Sequence, residues 1–195
     1  GQNDQRPLAD GTSSFPAVDK TLKRIDAAGM HYAIRATVTH ESVNCMEDMA
    51  HFVGNEYPHC ATFHIEPAWI TGRCLETSTE TAQTDEFIDH FKAMYEILNA
   101  YGIEASYSSV KHRELTNRFC AVCDSSFTVT EKGLVTSCFE VANEEDPRAY
   151  RYIFGSIDDD GLTIDPAKRT WLSRLTVENM PHCHYCFCRY SCAGD

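Results

Sequence analysis

The spacing of the cysteines constrains this sequence more than any other feature. The 195 residues include ten cysteines, and seven of them fall into three groups: Cys120 and Cys123; Cys138; and Cys183, Cys186, Cys188 and Cys192 within "PHCHYCFCRYSCAGD". Disulfide scaffolds are usually short secreted chains with cysteines spread throughout. This chain is longer, begins without a charged-then-apolar signal pattern, and uses Cys-x2-Cys twice. We therefore interpret the grouped thiols as metal ligands and expect a reducing, cytoplasmic location.

Charge and the length of the apolar stretches argue against two classes of partner. The net charge is -12, from 29 acidic and 17 basic residues, and the basic residues form no run. Such a chain repels phosphate backbones, so we expect no nucleic-acid partner. No apolar stretch approaches the ~20 residues of a membrane-spanning helix, so we expect no membrane partner.

Hydrophobic periodicity predicts two domains, 1–110 and 111–195. In the first, helical patterns alternate with strands at 31–39, 60–69 and 103–109, which favours parallel strands joined by right-handed crossovers. In the second, alternation at period two around Gly133 and again over 152–165 predicts two β-hairpins.

Two of the predicted parallel strands carry a polar face. Arg35 and Thr37 share one face of the first strand, and His64 and Glu66 share one face of the second. A parallel strand covered on both sides is usually a nearly continuous apolar run. We expect these faces to line a wet cavity that holds a polar ligand; the alternative is that Arg35 and Glu66 pair with each other in the interior.

The cysteine spacing resembles that of a known family. Nine residues separate Cys123 from Gly133 and four separate Gly133 from Cys138, and the set continues as Cys183-x2-Cys186-x5-Cys192. This resembles the SPASM domain, the auxiliary-cluster domain of radical S-adenosylmethionine (SAM) enzymes, over residues 120–195. "RATVT" and "FHIEPAW" resemble the fifth and sixth strands of the barrel in that family.

The resemblance implies an α/β fold. Residues 1–110 would form the C-terminal half of a partial TIM-like (β/α) barrel, and residues 111–195 a small hairpin-and-loop metal-binding SPASM domain. The pattern requires another cysteine at position 196, so we expect the sequence to be part of a longer chain that carries it. The open strand edges of a partial barrel would favour self-association.

The resemblance also implies ligands. The ligands of a first auxiliary 4Fe-4S cluster would include Cys120, Cys123 and Cys138. The ligands of a second cluster would include Cys183, Cys186 and Cys192. Cys188 falls outside the pattern, and we expect that it does not bind a cluster. The alternative is that it replaces one of the other cysteines as a ligand. The remaining cysteines are expected to be buried structural thiols, namely Cys45, Cys60 and Cys74.

The activity implied is that of an oxidoreductase that modifies a peptide or protein through a 5′-deoxyadenosyl radical. Arg35 would hold the carboxylate of S-adenosylmethionine, unless it forms a structural salt bridge, and Ile65 and Glu66 would flank the adenine. An electron donor such as flavodoxin or ferredoxin would be a partner. The family's CxxxCxxC motif does not occur in this sequence. The alternative function is a zinc-stapled binding module without catalysis, held by Cys120, Cys123, Cys183 and Cys186.

Overall fold

The chain divides into two compact units, Gly1–Ser108 (unit 1) and Ser109–Asp195 (unit 2). The computed structural model describes residues 6–70, 74, 77, 79–109, 114–123 and 127–194. The elements of unit 1 are α1 (Phe15–Ala27), β1 (Tyr32–Val38), α2 (Met46–Glu56), β2 (Cys60–Pro67), α3 (Thr84–Ala100) and β3 (Glu104–Ser106). Those of unit 2 are β4 (Thr128–Val129), β5 (Leu134–Thr136), α4 (Ala149–Tyr152), β6 (Ile153–Asp158), β7 (Gly161–Ile164), α5 (Pro166–Ser173) and α6 (Arg189–Cys192).

The strands of unit 1 form a parallel sheet in the order β1-β2-β3. The predicted alternation of helices and parallel strands is therefore confirmed. The register places Arg35 beside His64, and His64 beside Ser106. These side chains thus lie in one row across the three strands.

The predicted half of a TIM-like barrel is wrong. The described strands form a three-stranded parallel sheet in unit 1 and a separate four-stranded antiparallel sheet in unit 2, in the order β4-β5-β6-β7. Alternating helices and strands with short connections specify parallel pairing, but they do not specify the tilt and stagger that close a barrel. Three sequential parallel strands satisfy the same pattern as a small open sheet.

The core of unit 1 lies between one face of this sheet and the helices α2 and α3. Phe63 and Ile65 of β2 are buried together with Met94 and Leu98 of α3. The α3 apolar residues recur at helical spacing, so one stripe of the helix faces the sheet. The opposite face of β1 is exposed at Arg35, which leaves the polar side of the sheet accessible at that strand.

Unit 2 is built from hairpins around a small core. The two predicted hairpins are confirmed as β4–β5 and β6–β7. Asp165 caps α5, because its Oδ1 accepts hydrogen bonds from the backbone N–H groups of Ala167 at 2.9 Å and Lys168 at 3.0 Å. One apolar cluster of its described residues consists of Val135, Phe154 and Leu172 with three partly buried neighbours, and Val141 and Val177 are also fully buried. So small a core favours stabilisation by a further device such as a metal centre.

Among the helices of the described residues, none has the length and apolar character that crossing a bilayer requires.

Candidate thiol sites and polar sheet face

Cys138 is positioned by the β4–β5 hairpin. Gly133 closes the turn with a φ of 75°, and its N–H donates to the carbonyl oxygen of Thr130 at 3.0 Å. The fully buried Thr136 then fixes the backbone at Cys138, because its Oγ1 donates to the carbonyl oxygen of Cys138 at 3.1 Å and accepts from its N–H at 3.3 Å. Cys138 itself remains half-buried. The hairpin therefore presents this thiol at the end of β5 in a fixed backbone conformation.

Cys120 directly precedes the short 3-10 helix Ala121–Cys123, and Cys123 is its last residue. Cys123 is buried, whereas Cys120 is exposed. The Sγ of Cys123 donates to the carbonyl oxygen of Cys120 at 3.2 Å, which closes the turn locally. Val122, between them, packs against the core cluster that contains Val135 of β5. The Cys-x2-Cys segment and the β4–β5 hairpin thus share one small core.

The last four cysteines lie on a compact succession of turns. The N–H of Cys186 donates to the carbonyl oxygen of Cys183 at 3.1 Å, and the N–H of Cys192 donates to that of Cys188 at 3.1 Å. The Sγ atoms of Cys186 and Cys188 are 3.3 Å apart. Cys188, expected to be a bystander, therefore has its sulfur in contact with that of a predicted ligand.

Electrostatics connect all four of these thiols. Burial raises the pKa of the Cys183 thiol, and the neighbouring Cys192 and Cys186 raise it further. The hydrogen bond between Cys186 and Cys188 lowers the pKa of Cys186 and raises that of Cys188. Arg189 adds a smaller effect in the same direction at Cys186, because its positive charge favours the thiolate. The group therefore contains one thiol, that of Cys186, whose surroundings favour its ionised form.

The thiols are not assembled into a complete metal site. Within the part of the chain that the structure describes, no three histidine, cysteine, aspartate or glutamate side chains are arranged so that they could hold one metal ion. All ten cysteines are free thiols. Thiolate sulfur is the donor that iron–sulfur clusters and structural zinc use, so the donor chemistry fits either group.

The three cysteines of unit 1 differ in burial. Cys60 is buried, as predicted, and Cys74 is partly exposed. The prediction of a buried Cys45 is wrong, because this residue is exposed. It follows the fully buried Val43 and precedes the fully buried Met46 on the turn into α2, and its own side chain lies on the solvent side.

The three residues of unit 1 that were predicted to bind S-adenosylmethionine lie in different surroundings. Arg35 is exposed on β1, and it forms no ion pair with any residue that the structure describes. Ile65 is fully buried in the apolar core, so its side chain is directed away from the polar face. Glu66 is 6% exposed. The alternative pairing of Arg35 with Glu66 is absent among the described residues, where the partners of Glu66 are His64 and Ser108.

Sequence reasoning placed His64 on the polar face but assigned it no role, and it missed Ser106 and Ser108. The Nε2 of His64 lies 2.6 Å from Oε1 of Glu66, and its Nδ1 lies 3.0 Å from Oγ of Ser106. The N–H of Ser108 donates to the same Oε1 at 2.7 Å, and the Ser108 hydroxyl also contacts it. The alternation of His64 and Glu66 along β2 was a usable signal, whereas the serines become relevant only through the pairing of β2 with β3.

No protein-family model matches this chain, and no curated protein matches it either.

Proposed function

We propose that unit 2 binds iron–sulfur clusters through its grouped cysteines, as an auxiliary-cluster unit of a radical S-adenosylmethionine oxidoreductase that modifies a peptide or protein. The observation that supports this proposal is the contact between the sulfurs of Cys186 and Cys188, 3.3 Å apart, within a succession of short turns that carries four cysteines. The small apolar core of unit 2 is a second support, because metal binding supplies folding free energy that such a core lacks.

The ligand sets follow the cysteine spacing. One cluster would be held by Cys120, Cys123 and Cys138 with a further donor, and another by Cys183, Cys186 and Cys192. Cluster binding requires deprotonated thiols, so the surroundings that lower the pKa of Cys186 favour it as a ligand. Bound clusters would supply electron transfer, and a flavodoxin or ferredoxin is the class of protein that would exchange electrons with them. The proposal places the protein in a reducing cytoplasm.

The cofactor S-adenosylmethionine carries a carboxylate that a guanidinium fork can bind with two parallel hydrogen bonds. We assign this role to Arg35, because its side chain is exposed on the polar face of the sheet and forms no ion pair there among the described residues. Backbone groups next to Ile65 and Glu66 would flank the adenine, since the Ile65 side chain lies in the core.

A zinc-binding module is the second candidate. Cys183 and Cys186, which a turn brings together, and the Cys120 and Cys123 pair would supply the four thiolates that a structural zinc site requires. A zinc site does not require Cys138 or the hairpin that positions it, and this favours iron–sulfur clusters.

Metal loading distinguishes the two functions. The chain is purified anaerobically and divided into portions loaded with ferrous iron and sulfide or with zinc. We expect brown protein that contains about four irons and four sulfides per cluster. Cys183→Ser with Cys186→Ser should abolish one cluster, while Cys45→Ser, an exposed thiol in unit 1, should leave iron content unchanged. Colourless protein that binds one zinc and no iron would instead establish the zinc module.

Cofactor binding is measured separately by calorimetry with S-adenosylmethionine. Arg35→Lys keeps the charge but loses the planar fork, so we expect the affinity to fall by about tenfold or more. Equal affinities for the two proteins would remove Arg35 from the site without affecting the assignment of the thiols.

A further inference from the structure

Three side chains on the polar face of unit 1 form a continuous hydrogen-bonded chain. His64 lies between Ser106 and Glu66, with Nδ1 3.0 Å from the serine Oγ and Nε2 2.6 Å from the glutamate Oε1. The parallel pairing of β2 with β3 places His64 directly beside Ser106. The contact is therefore a consequence of strand register and not of a mobile loop.

The contacts of Glu66 determine the direction of each hydrogen bond. Its Oε1 accepts from the backbone N–H of Ser108 at 2.7 Å, and a backbone N–H can only donate. The same oxygen therefore acts as an acceptor towards His64, and Nε2 of His64 carries the proton. In a neutral imidazole the other nitrogen is then an acceptor, so Nδ1 accepts the hydroxyl proton of Ser106.

The two ends of this hydrogen-bonded network differ in burial. Glu66 is 6% exposed and is also contacted by the hydroxyl of Ser108, so its carboxylate is held from two sides. His64 and Ser106 are only partly buried, and both lie on the face opposite the apolar core. The carboxylate is thus the firmly held end of this network, and the serine hydroxyl is its accessible end.

We propose that Ser106 is a nucleophile activated by His64 as general base, with Glu66 as the positioning residue, and that it takes acyl groups from small esters. A hydroxyl, a base within hydrogen-bond reach and a third group that orients the base are the parts that nucleophilic catalysis requires. Ser106 Oγ forms a bond to the ester carbonyl carbon while its proton passes to Nδ1 of His64. The ester C–O bond then breaks, and the leaving alcohol takes that proton; water releases the acid and restores the serine.

The simplest competing account is a purely structural network that ties β3 to β2. In that case Ser106 is no more reactive than any other serine. Ser108 offers a matched comparison, because its hydroxyl contacts the same carboxylate but no histidine among the described residues. The two accounts therefore predict different reactivity for two serines that lie two positions apart.

A fluorophosphonate probe tests this with the full chain. Ser106 Oγ would form a bond to phosphorus, fluoride would leave, and the hydroxyl proton would go to His64. Peptide mass spectrometry should find the label on Ser106 and not on Ser108. His64→Gln keeps two hydrogen-bonding groups but no base, so the labelling rate should fall about 100-fold. Glu66→Gln keeps an acceptor oxygen without its charge and should give an intermediate rate.

Circular dichroism and thermal unfolding show whether each variant is folded. Nitrogen chemical shifts of His64 in the unmodified chain provide a test that needs no variant, and we expect a protonated Nε2 and an unprotonated Nδ1. The proposal is overturned if Ser106 is not labelled or if the His64→Gln variant is labelled at the same rate as the parent chain. It is also overturned if His64 carries its proton on Nδ1 instead of Nε2. None of these measurements depends on metal loading, so they fail or succeed independently of the proposed cluster sites.

Discussion

Gly133 and Ile157 are in direct backbone contact across the antiparallel sheet of unit 2. The N–H of Ile157 donates to the carbonyl oxygen of Gly133 at 2.7 Å. A Cβ atom at position 133 would overlap the carbonyl oxygen of Ile157, and the φ of 75° at Gly133 is itself unfavourable for other residues. The glycine that stands between Cys123 and Cys138 is therefore required by the hairpin and by its neighbouring strand, irrespective of any metal.

Gly133→Ala should destabilise unit 2. The left-handed conformation costs about 1–2 kcal/mol, and overlap with the Ile157 carbonyl adds about 1–3 kcal/mol. Gly102→Ala is the matched control, because Gly102 in unit 1 has the same φ of 75° but its added Cβ would meet nothing within 4 Å. Urea unfolding should show the larger loss of unfolding free energy for Gly133→Ala. Equal losses would mean that the contact with Ile157 contributes nothing.

Phe91→Ala should destabilise unit 1 by about 3–5 kcal/mol, because it opens a cavity in the core. Phe91 is 8% exposed, and the centroid of its ring lies 4.8 Å from that of Tyr107 in an edge-to-face arrangement. Tyr107 directly follows Ser106, so this packing also holds the end of β3. Phe139→Ala, at an 80% exposed position, should change stability by no more than about 0.5 kcal/mol. Thermal unfolding of both variants provides the comparison.

Sequence patterns predicted the local structure better than the assembly. Helical patterns between the predicted strands indicated helices such as α3, and alternation around Gly133 predicted the β4–β5 hairpin, because both depend on neighbours in sequence. Curvature of the parallel sheet depends on tilt and stagger between strands, and no residue pattern within one strand encodes these. The barrel was therefore predicted wrongly while its strands were predicted correctly.

The candidate sites also differ in whether they depend on neighbours in sequence or on the pairing of distant strands. The cysteine groups are visible in the sequence because short turns bring neighbours such as Cys186 and Cys188 together. The contact between His64 and Ser106 joins residues 42 positions apart and depends on the register of β2 against β3. Register is set by the packing of whole strands, so this contact emerges only from the structure.

Asp26 should make the stability of unit 1 dependent on pH in the acid range. Burial would raise the pKa of this carboxyl, but hydrogen bonds from His59 and Tyr32 outweigh it and lower the pKa below its usual value. Its Oδ1 accepts from the N–H of His59 and from the Tyr32 hydroxyl, both at 2.9 Å. Because the folded pKa is depressed, the stabilisation is complete above the unfolded pKa of about 3.9. It is lost as the pH falls through the folded value.

Asp26→Asn keeps an acceptor oxygen but removes the titration. The variant should be less stable than the parent chain at pH 7, and the difference should shrink as the pH falls below about 4. Urea unfolding at a series of pH values measures both curves. Parallel curves across this range would show that the Asp26 carboxylate does not contribute through its charge.

Self-association through the edge of the parallel sheet is the last expectation that the structure makes testable. Within the described residues β1 has one neighbouring strand, so its other side presents backbone hydrogen-bonding groups. Ala33→Lys places a charge at an exposed position of this edge, whereas Ala61→Lys places the same charge at an exposed position of the central strand β2. Sedimentation velocity over a range of concentrations should show association that Ala33→Lys weakens more strongly than Ala61→Lys. A parent chain that stays monomeric at all concentrations, or equal effects of the two substitutions, would show that the β1 edge is not used.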